Sequence, residues 1–188
     1  MAEFRKDPIT GRWFIIAAEL YVRASSDTAF KGTGRRLRLE EILTLMIADG
    51  LIGSYDAETL LRSPTRRGDH PLEIVAERNW HSATGPRKAL TLDWLVEWLA
   101  GKLGVTYMHI DPLKIDLTAV TQSMTNAYAE RYRILPVAAT RTMLTVATGE
   151  PFVRDWADEL EKIMNVEVKL AFANPQDIRR YLGEFYNL

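Results

Sequence analysis

Hydrophobic residues recur every three to four positions in the first half of the chain, which predicts amphipathic helices there. The clearest repeat predicts a helix over residues 37–50, ended by Asp49-Gly50. Four residues form its apolar face: Leu39, Ile42, Leu43 and Met46. Two shorter helices are predicted over residues 56–62 and 71–79, with polar loops between them.

From residue 90 onward the pattern changes between helical and strand periods. A helix is predicted over residues 92–103, with Gly104 as its terminating glycine. Short apolar runs predict four strands, over residues 105–110, 134–138, 143–147 and 166–172. Amphipathic segments predict two helices over residues 117–132 and 150–164, and a last helix after Pro175. The second and third strands lie close enough in sequence to form a hairpin.

These elements predict an α+β fold, in which a helical N-terminal subdomain precedes a small two-layer α/β subdomain. The α/β part has the order β-α-β-β-α-β-α and forms a sheet covered by helices. We divide the chain into an N-terminal strand and tail over residues 1–29, a helical subdomain over 30–89, and the α/β subdomain over 90–188.

Composition and charge exclude several classes of protein. The 188 residues are 47% hydrophobic, which is the size and composition of one globular domain or two small ones. A net charge of −1 provides no overall field to attract nucleic acid. The chain has no cysteine, which agrees with a reducing cytosol, and no apolar run approaches the roughly 18 residues that span a bilayer. We therefore expect a cytoplasmic protein that neither binds nucleic acid nor inserts directly into a membrane.

Residues that could carry catalysis are scattered along the chain. There are three histidines, and none forms a pair with the spacing of metal ligands: His70, His81 and His109. The run Gly32-Thr33-Gly34 lacks the further glycine or the Lys-Ser/Thr that nucleotide-binding loops require. No Walker A motif is present. We therefore expect no enzyme activity, no cofactor and no metal in these residues.

The run DPITGRWFIIA, residues 7–17, resembles a short stretch near the start of galactose-1-phosphate uridylyltransferases. Those enzymes use a His-Pro-His motif, which this chain lacks. The alternative interpretation is a turn followed by an edge strand over residues 12–17 that packs on the domain or on a neighbour.

A longer resemblance begins near residue 90 and is carried by short motifs in a fixed order. They are Leu103-Gly104-Val105, Asp111-Pro112, Arg133-Ile134-Leu135-Pro136-Val137, Glu150-Pro151-Phe152, Val166-Glu167-Val168 and Asn174-Pro175. In order and spacing this half of the chain resembles the N-terminal domain of type II secretion and type IV pilus assembly ATPases. Residues 35–61 resemble the preceding helical part of the same domain.

The resemblance implies an adaptor rather than a motor. In that family the domain precedes a hexameric ATPase core, which carries the Walker motifs and binds ATP and Mg²⁺. The domain docks the core onto the cytoplasmic part of an inner-membrane platform protein. The resemblance thus implies a domain of a longer ATPase, or a free-standing relative, that is held at the inner membrane only through its partners.

Two apolar surfaces are candidates for partner docking. One is the helix face formed by Leu39, Ile42, Leu43 and Met46, and the other is the pair Trp94 and Trp98, four residues apart on the next long helix. Both are also good candidates for the core.

Some members of this family bind cyclic di-GMP through a motif of the form RLGxxLxxxGxL. When Gly50 is aligned with the second glycine, Glu41 and Leu43 stand where arginine and glycine are expected. The basic residues Arg35, Arg36 and Arg38 lie nearby and could contact a nucleotide instead. A cyclic di-GMP-sensing regulatory domain is therefore the alternative function.

Overall fold

The computed structural model describes residues 4–6, 13–15, 34–66 and 68–186, with residues 4–6, 13–15 and Ala119 described by their backbone alone. The first two segments are short strands, β1 (Phe4–Lys6) and β2 (Trp13–Ile15), which pair antiparallel with Phe4 opposite Ile15. The strand predicted over residues 12–17 is confirmed for residues 13–15. The rest of that stretch, and the loop containing Gly32 and Thr33, lie outside the described residues.

In the described residues, four helices form the N-terminal part of the fold. They are α1 (Leu39–Ala48), α2 (Ser54–Arg62), α3 (Pro71–Ala76) and α4 (Leu92–Leu103). Side chains cap two of them, since His70 accepts a hydrogen bond from the Leu72 amide and Thr91 accepts one from the Trp94 amide. Helix α4 ends at Gly104, whose φ of +64° is the left-handed conformation that glycine adopts most easily.

A first hydrophobic core joins α1, α3 and α4. Leu95, Val96 and Leu99 of α4 are almost completely buried there. The core also takes in Phe172, which comes from the last strand of the sheet. Helix α4 therefore packs with the helices that precede it, although the division of the chain at residue 89 assigns it to the following part.

The sheet has three strands in the order β3 (Ile134–Ala139), β4 (Met143–Thr148) and β5 (Glu167–Phe172). β3 and β4 form the predicted hairpin, with a bulge between Pro136 and Ala138, and β4 and β5 run parallel. Residues 105–110 were predicted as a further strand, and this prediction is wrong. Only Tyr107 bridges to Phe172, because the chain leaves the sheet edge to enter the 3-10 turn Pro112–Lys114, which Asp111 caps.

Helices cover the sheet and differ from the predicted ones at their starts. The helix predicted over residues 117–132 is two helices, α5 (Leu117–Ser123) and α6 (Asn126–Tyr132), because the Thr125 hydroxyl accepts a hydrogen bond from the Tyr128 amide and starts a new helix. Helix α7 (Asp155–Met164) begins five residues later than predicted, after a turn in which the Glu150 amide donates to Thr148 Oγ1. The last helix is α8 (Pro175–Tyr186).

A second core lies between the sheet and α5 to α8, with Trp156 and Ile134 fully buried in it. Polar contacts connect it to the helical part. The Leu37 amide donates to Glu150 Oε2 at 2.8 Å, and Asn174 Nδ2 donates to Asp93 Oδ1 at 2.7 Å. The α+β architecture predicted from the hydrophobic pattern is confirmed.

Candidate functional site

The apolar face of α1 lies inside the protein. Ile42, Leu43 and Met46 are 1%, 1% and 0% exposed, and Leu39 is half-buried. A partner could contact the first three side chains only if the first core opened, so they stabilise the helical part rather than present a surface. The accessible part of the predicted docking residues is therefore the tryptophan pair.

Trp94 and Trp98 form a stacked aromatic pair on α4, which packs partly against the first core. Their ring centroids are 6.2 Å apart and the rings are nearly parallel, at 9°. Both side chains are half-buried, and Lys88 Nζ lies 5.3 Å from the centre of the Trp94 ring. The two rings thus present a flat apolar surface with a cation at one end.

The second ring of this pair is held in place by the end of α1. Trp98 Nε1 donates a hydrogen bond of 2.8 Å to Asp49 Oδ2, and Lys102 Nζ lies 2.6 Å from Asp49 Oδ1. Asp49 therefore fixes the orientation of the indole and neutralises the nearby lysine. We call Trp94, Trp98 and Lys102 the aromatic face.

The residues aligned with the cyclic di-GMP motif have mostly local roles. Glu41 pairs with Arg35, and Leu43 is a core residue. Gly50 has a φ of +67°, and its carbonyl accepts a hydrogen bond of 2.9 Å from the Thr84 hydroxyl. Arg38 pairs with Glu40 at 3.5 Å on the surface. Of the three candidate arginines, Arg36 is the one that lines the cleft described next.

Arg36 lines a cleft between the helical part and the sheet, which we call the basic cleft. Its volume is about 60 Å³, and its charged and polar lining includes Arg36, His70, Arg131, Arg133, Glu150 and Arg179. These residues come from the segment before α1, the N-terminus of α3, the end of α6, the end of β4 and α8. Thr148 and Glu150 place the cleft at the carboxyl end of β4, beside the parallel strand β5.

Burial shifts the pKa of two groups that line this cleft, His70 and Glu150. His70 is 6% exposed; its Nδ1 accepts the Leu72 amide and its Nε2 lies 2.7 Å from the Gly149 carbonyl. This arrangement fits the neutral ring with its proton on Nε2, and burial lowers the pKa of His70. Burial also raises the pKa of Glu150, whose Oε1 is 3.9 Å from His70 Nε2.

Three possible metal ligands converge at another place, near the start of α4. One ligand atom from each of Asp93, His109 and Asp177 lies within 4.8 Å of the others. Asp93 already accepts a hydrogen bond from Asn174, and Asp177 pairs with Arg180 at 2.9 Å. Sequence spacing could not reveal this group, since its members come from three elements separated along the chain.

Comparison with known proteins identifies the type of domain. Residues 103–188 match the MshEN domain family. The chain is also 31% identical, over 150 residues, to the type IV pilus assembly ATPase TfpB of Acinetobacter baylyi. The chain carries an MshEN domain. The resemblance to the N-terminal domains of secretion and pilus assembly ATPases is thereby confirmed.

Each of these matches covers only part of a protein. The alignment with TfpB covers 78% of this chain but only 26% of the relative, so the chain spans about a quarter of that ATPase. The MshEN match begins at the end of α4, and thus covers the sheet and its helices rather than the helical part.

Solved structures have the same fold. The structure of MshE with cdg matches with a TM-score of 0.55 and 17% identity, and covers 80% of this chain and 100% of that one. The structure of the N-terminal domain of XpsE matches with a TM-score of 0.50 and 14% identity, and covers 81% and 99%. Among the described residues, no helix is long and apolar enough to cross a membrane.

Proposed function

We propose that this chain is the docking domain of a secretion or pilus assembly ATPase, and that it binds the cytoplasmic part of an inner-membrane platform protein. The observation that carries the proposal is the aromatic face. Tryptophan is enriched among residues that dominate binding energy, and a pair held rigid before binding loses little side-chain entropy. The match to TfpB supports the wider context of a pilus machine.

The proposal also implies where the nucleotide would bind and where the domain would lie in the cell. ATP and Mg²⁺ would bind in an ATPase core, which we expect to be hexameric, and the present domain would couple that core to the platform. The domain would lie in the cytoplasm, and at the inner membrane only through this partner.

A binding titration with the cytoplasmic domain of the platform protein tests the proposal. We expect Trp94→Ala and Trp98→Ala each to weaken binding by about tenfold or more, which corresponds to a hot-spot contribution above about 1.4 kcal/mol. Tyr55→Ala is the matched control, because Tyr55 is an aromatic residue of α2 that is 82% exposed. Absence of binding at about 50 µM protein, or equal binding by all three variants, would contradict the proposal.

A second candidate is a domain that senses cyclic di-GMP, and the fold shared with MshE with cdg favours it. In this chain Glu41 pairs with Arg35 where the binding motif has an arginine. We therefore expect weaker binding than in members with the full motif. Glu41→Arg restores the missing cation at a position that belongs to neither hydrophobic core.

Thermal unfolding with and without cyclic di-GMP tests this candidate, since a ligand that binds the native state raises the melting temperature. We expect a larger rise for Glu41→Arg than for the natural chain. If neither protein shifts at a hundredfold excess over micromolar affinity, this candidate is dismissed.

A further inference from the structure

The residues that line the basic cleft carry more positive than negative charge. Arg179 is neutralised by Glu73, with two hydrogen bonds of 2.7 and 2.8 Å. Among the described residues that line the cleft, three further arginines, Arg36, Arg131 and Arg133, have one carboxylate beside them, that of Glu150. With Glu150 ionised, the four arginines, Glu73 and Glu150 together carry a net charge of about +2, which a dianion would balance.

Most of these guanidinium groups still have hydrogen-bonding capacity. Among the residues that the structure describes, Arg36 makes no hydrogen bond or ion pair, and Arg131 contacts only the Tyr132 ring, at 5.3 Å from its centre. Arg133 Nη1 donates to the Gly68 carbonyl at 3.1 Å, which leaves its other donors free. A guanidinium offers five N–H donors in a planar fork that matches the oxygens of a phosphate.

Arg133 occupies a backbone position that glycine or asparagine usually fills. It is the C-cap of α6 with φ +53° and ψ +51°, in the left-handed region. Non-glycine residues are uncommon in this conformation, and such residues are concentrated at binding and active sites. The position directs the Arg133 side chain to the cleft and to Gly68.

The location and size of the cleft restrict what it can hold. It lies at the carboxyl end of β4, and ligands of sheets with parallel strands bind at that end. Its volume of about 60 Å³ is sufficient for a few water molecules, since one water needs about 10–15 Å³ on this measure. That space fits one phosphoryl group better than a whole dinucleotide.

We propose that the basic cleft binds the phosphate group of a small molecule, through Arg36, Arg131 and Arg133. The phosphate is held by charge-assisted hydrogen bonds from residues of both halves of the protein, and so it bridges the helical part and the sheet. This inference does not rest on the docking proposal, because none of the residues of the aromatic face lines the cleft.

Calorimetric titration of the whole chain with inorganic phosphate, against potassium chloride at equal ionic strength, tests the inference. We expect one phosphate per chain, with a Kd raised about tenfold or more by Arg131→Ala and by Arg133→Asn, because each loses a charge-assisted hydrogen bond. Asparagine tolerates the left-handed backbone, so Arg133→Asn keeps the fold. Arg141→Ala is the matched control, since Arg141 is exposed in the turn between β3 and β4.

Each result decides the inference. Binding that Arg131→Ala and Arg133→Asn weaken, and Arg141→Ala does not, supports the site, provided that urea unfolding shows both variants to be folded. No binding of phosphate or of a nucleoside monophosphate at about 10 mM overturns it. Binding that all three variants share also overturns it, because the phosphate then lies elsewhere.

Further titrations separate the sources of the phosphate. Affinity for AMP or GMP at least about tenfold above that for inorganic phosphate identifies a nucleotide, and equal affinities identify free phosphate. Cyclic di-GMP is the third probe, since its phosphodiesters each carry a single charge. Binding of cyclic di-GMP alone, unaffected by Arg131→Ala, would overturn the inference.

Discussion

Glu73 and Arg179 form two hydrogen bonds, of 2.7 and 2.8 Å, although they lie 106 residues apart. Glu73 is 8% exposed, whereas the Arg179 side chain is 46% exposed. The pair connects α3 of the helical part to α8, which covers the sheet. The bidentate hydrogen bonding with Glu73 also raises the pKa of Arg179.

Arg179→Ala should lower the free energy of unfolding by about 2 kcal/mol, because it leaves the buried Glu73 carboxylate without its partner. Arg62→Ala is the control, since Arg62 forms an exposed pair with Glu58 and should cost under about 0.5 kcal/mol. Urea denaturation measures both. The double variant Glu73→Gln with Arg179→Ala should recover part of the loss, and failure to recover any would refute the role of the unpaired charge.

Stability should fall as the pH drops below about 6.5, because of His70. Burial lowers the pKa of this histidine in the fold, so the unfolded chain takes up the proton first and acid favours unfolding. Each pH unit between the unfolded and folded pKa values costs up to about 1.4 kcal/mol. Glu150 acts in the opposite direction, since its raised pKa means that the fold takes up a proton first.

Urea denaturation at pH 7.5, 6.5 and 5.5 measures this effect in a Glu150→Gln variant, because the variant lacks the carboxyl group whose titration opposes that of His70. Glu73, Arg133 and Arg179 also act on the charge of His70, so they are kept unchanged. His70→Gln should be less stable at pH 7.5 and nearly independent of pH in this interval. Equal slopes for the two proteins would exclude His70 as the source.

Gly50→Ala should destabilise the fold by about 1–2 kcal/mol, because an L-residue is strained at a φ of +67°. The added Cβ would also lie 2.9 Å from Thr84 Oγ1. Gly101→Ala is the matched control, since Gly101 lies within α4 with no atom within 4 Å of an added Cβ. We expect this control to stabilise the protein by about 0.5–1 kcal/mol. Thermal unfolding tests both predictions, since Gly50→Ala should lower the melting temperature and Gly101→Ala should raise it.

Asp49→Ala should cost about 1 kcal/mol and free the Trp98 ring, because the carboxylate accepts from the indole and pairs with Lys102. Lys102→Ala removes only the ion pair and should cost about half as much. Urea denaturation gives the free energy of unfolding, and tryptophan fluorescence reports the environment of the Trp98 ring. An unchanged emission spectrum in Asp49→Ala would show that the hydrogen bond does not orient Trp98.

Local signals in the sequence were sufficient for several elements. Helix α4 has its predicted bounds because Thr91 caps its start, a regular apolar face follows, and Gly104 ends it. The hairpin of β3 and β4 was predicted because both strands and their turn lie within fifteen residues, 134–148. The resemblance that identified the MshEN domain rests on short motifs of the same local kind.

Other features depend on contacts that no local pattern contains. The division of residues 117–132 into two helices follows from the Thr125 cap, and residues 105–110 form one bridge rather than a strand. The burial of Ile42, Leu43 and Met46 depends on how α1 packs against α3 and α4, since a helix period predicts an apolar face but not what covers it.

The sequence by itself determined the α+β class, most of the helices and strands, and the kind of domain, because hydrophobic period, caps and short motifs act over a few residues. Only the tertiary structure decided which candidate residues meet. Arg36 lines the same cleft as Arg131 and Arg133, and Asp49 accepts a hydrogen bond from Trp98, across long stretches of chain. These arrangements depend on the packing of the two cores, which brings together residues with no common local pattern.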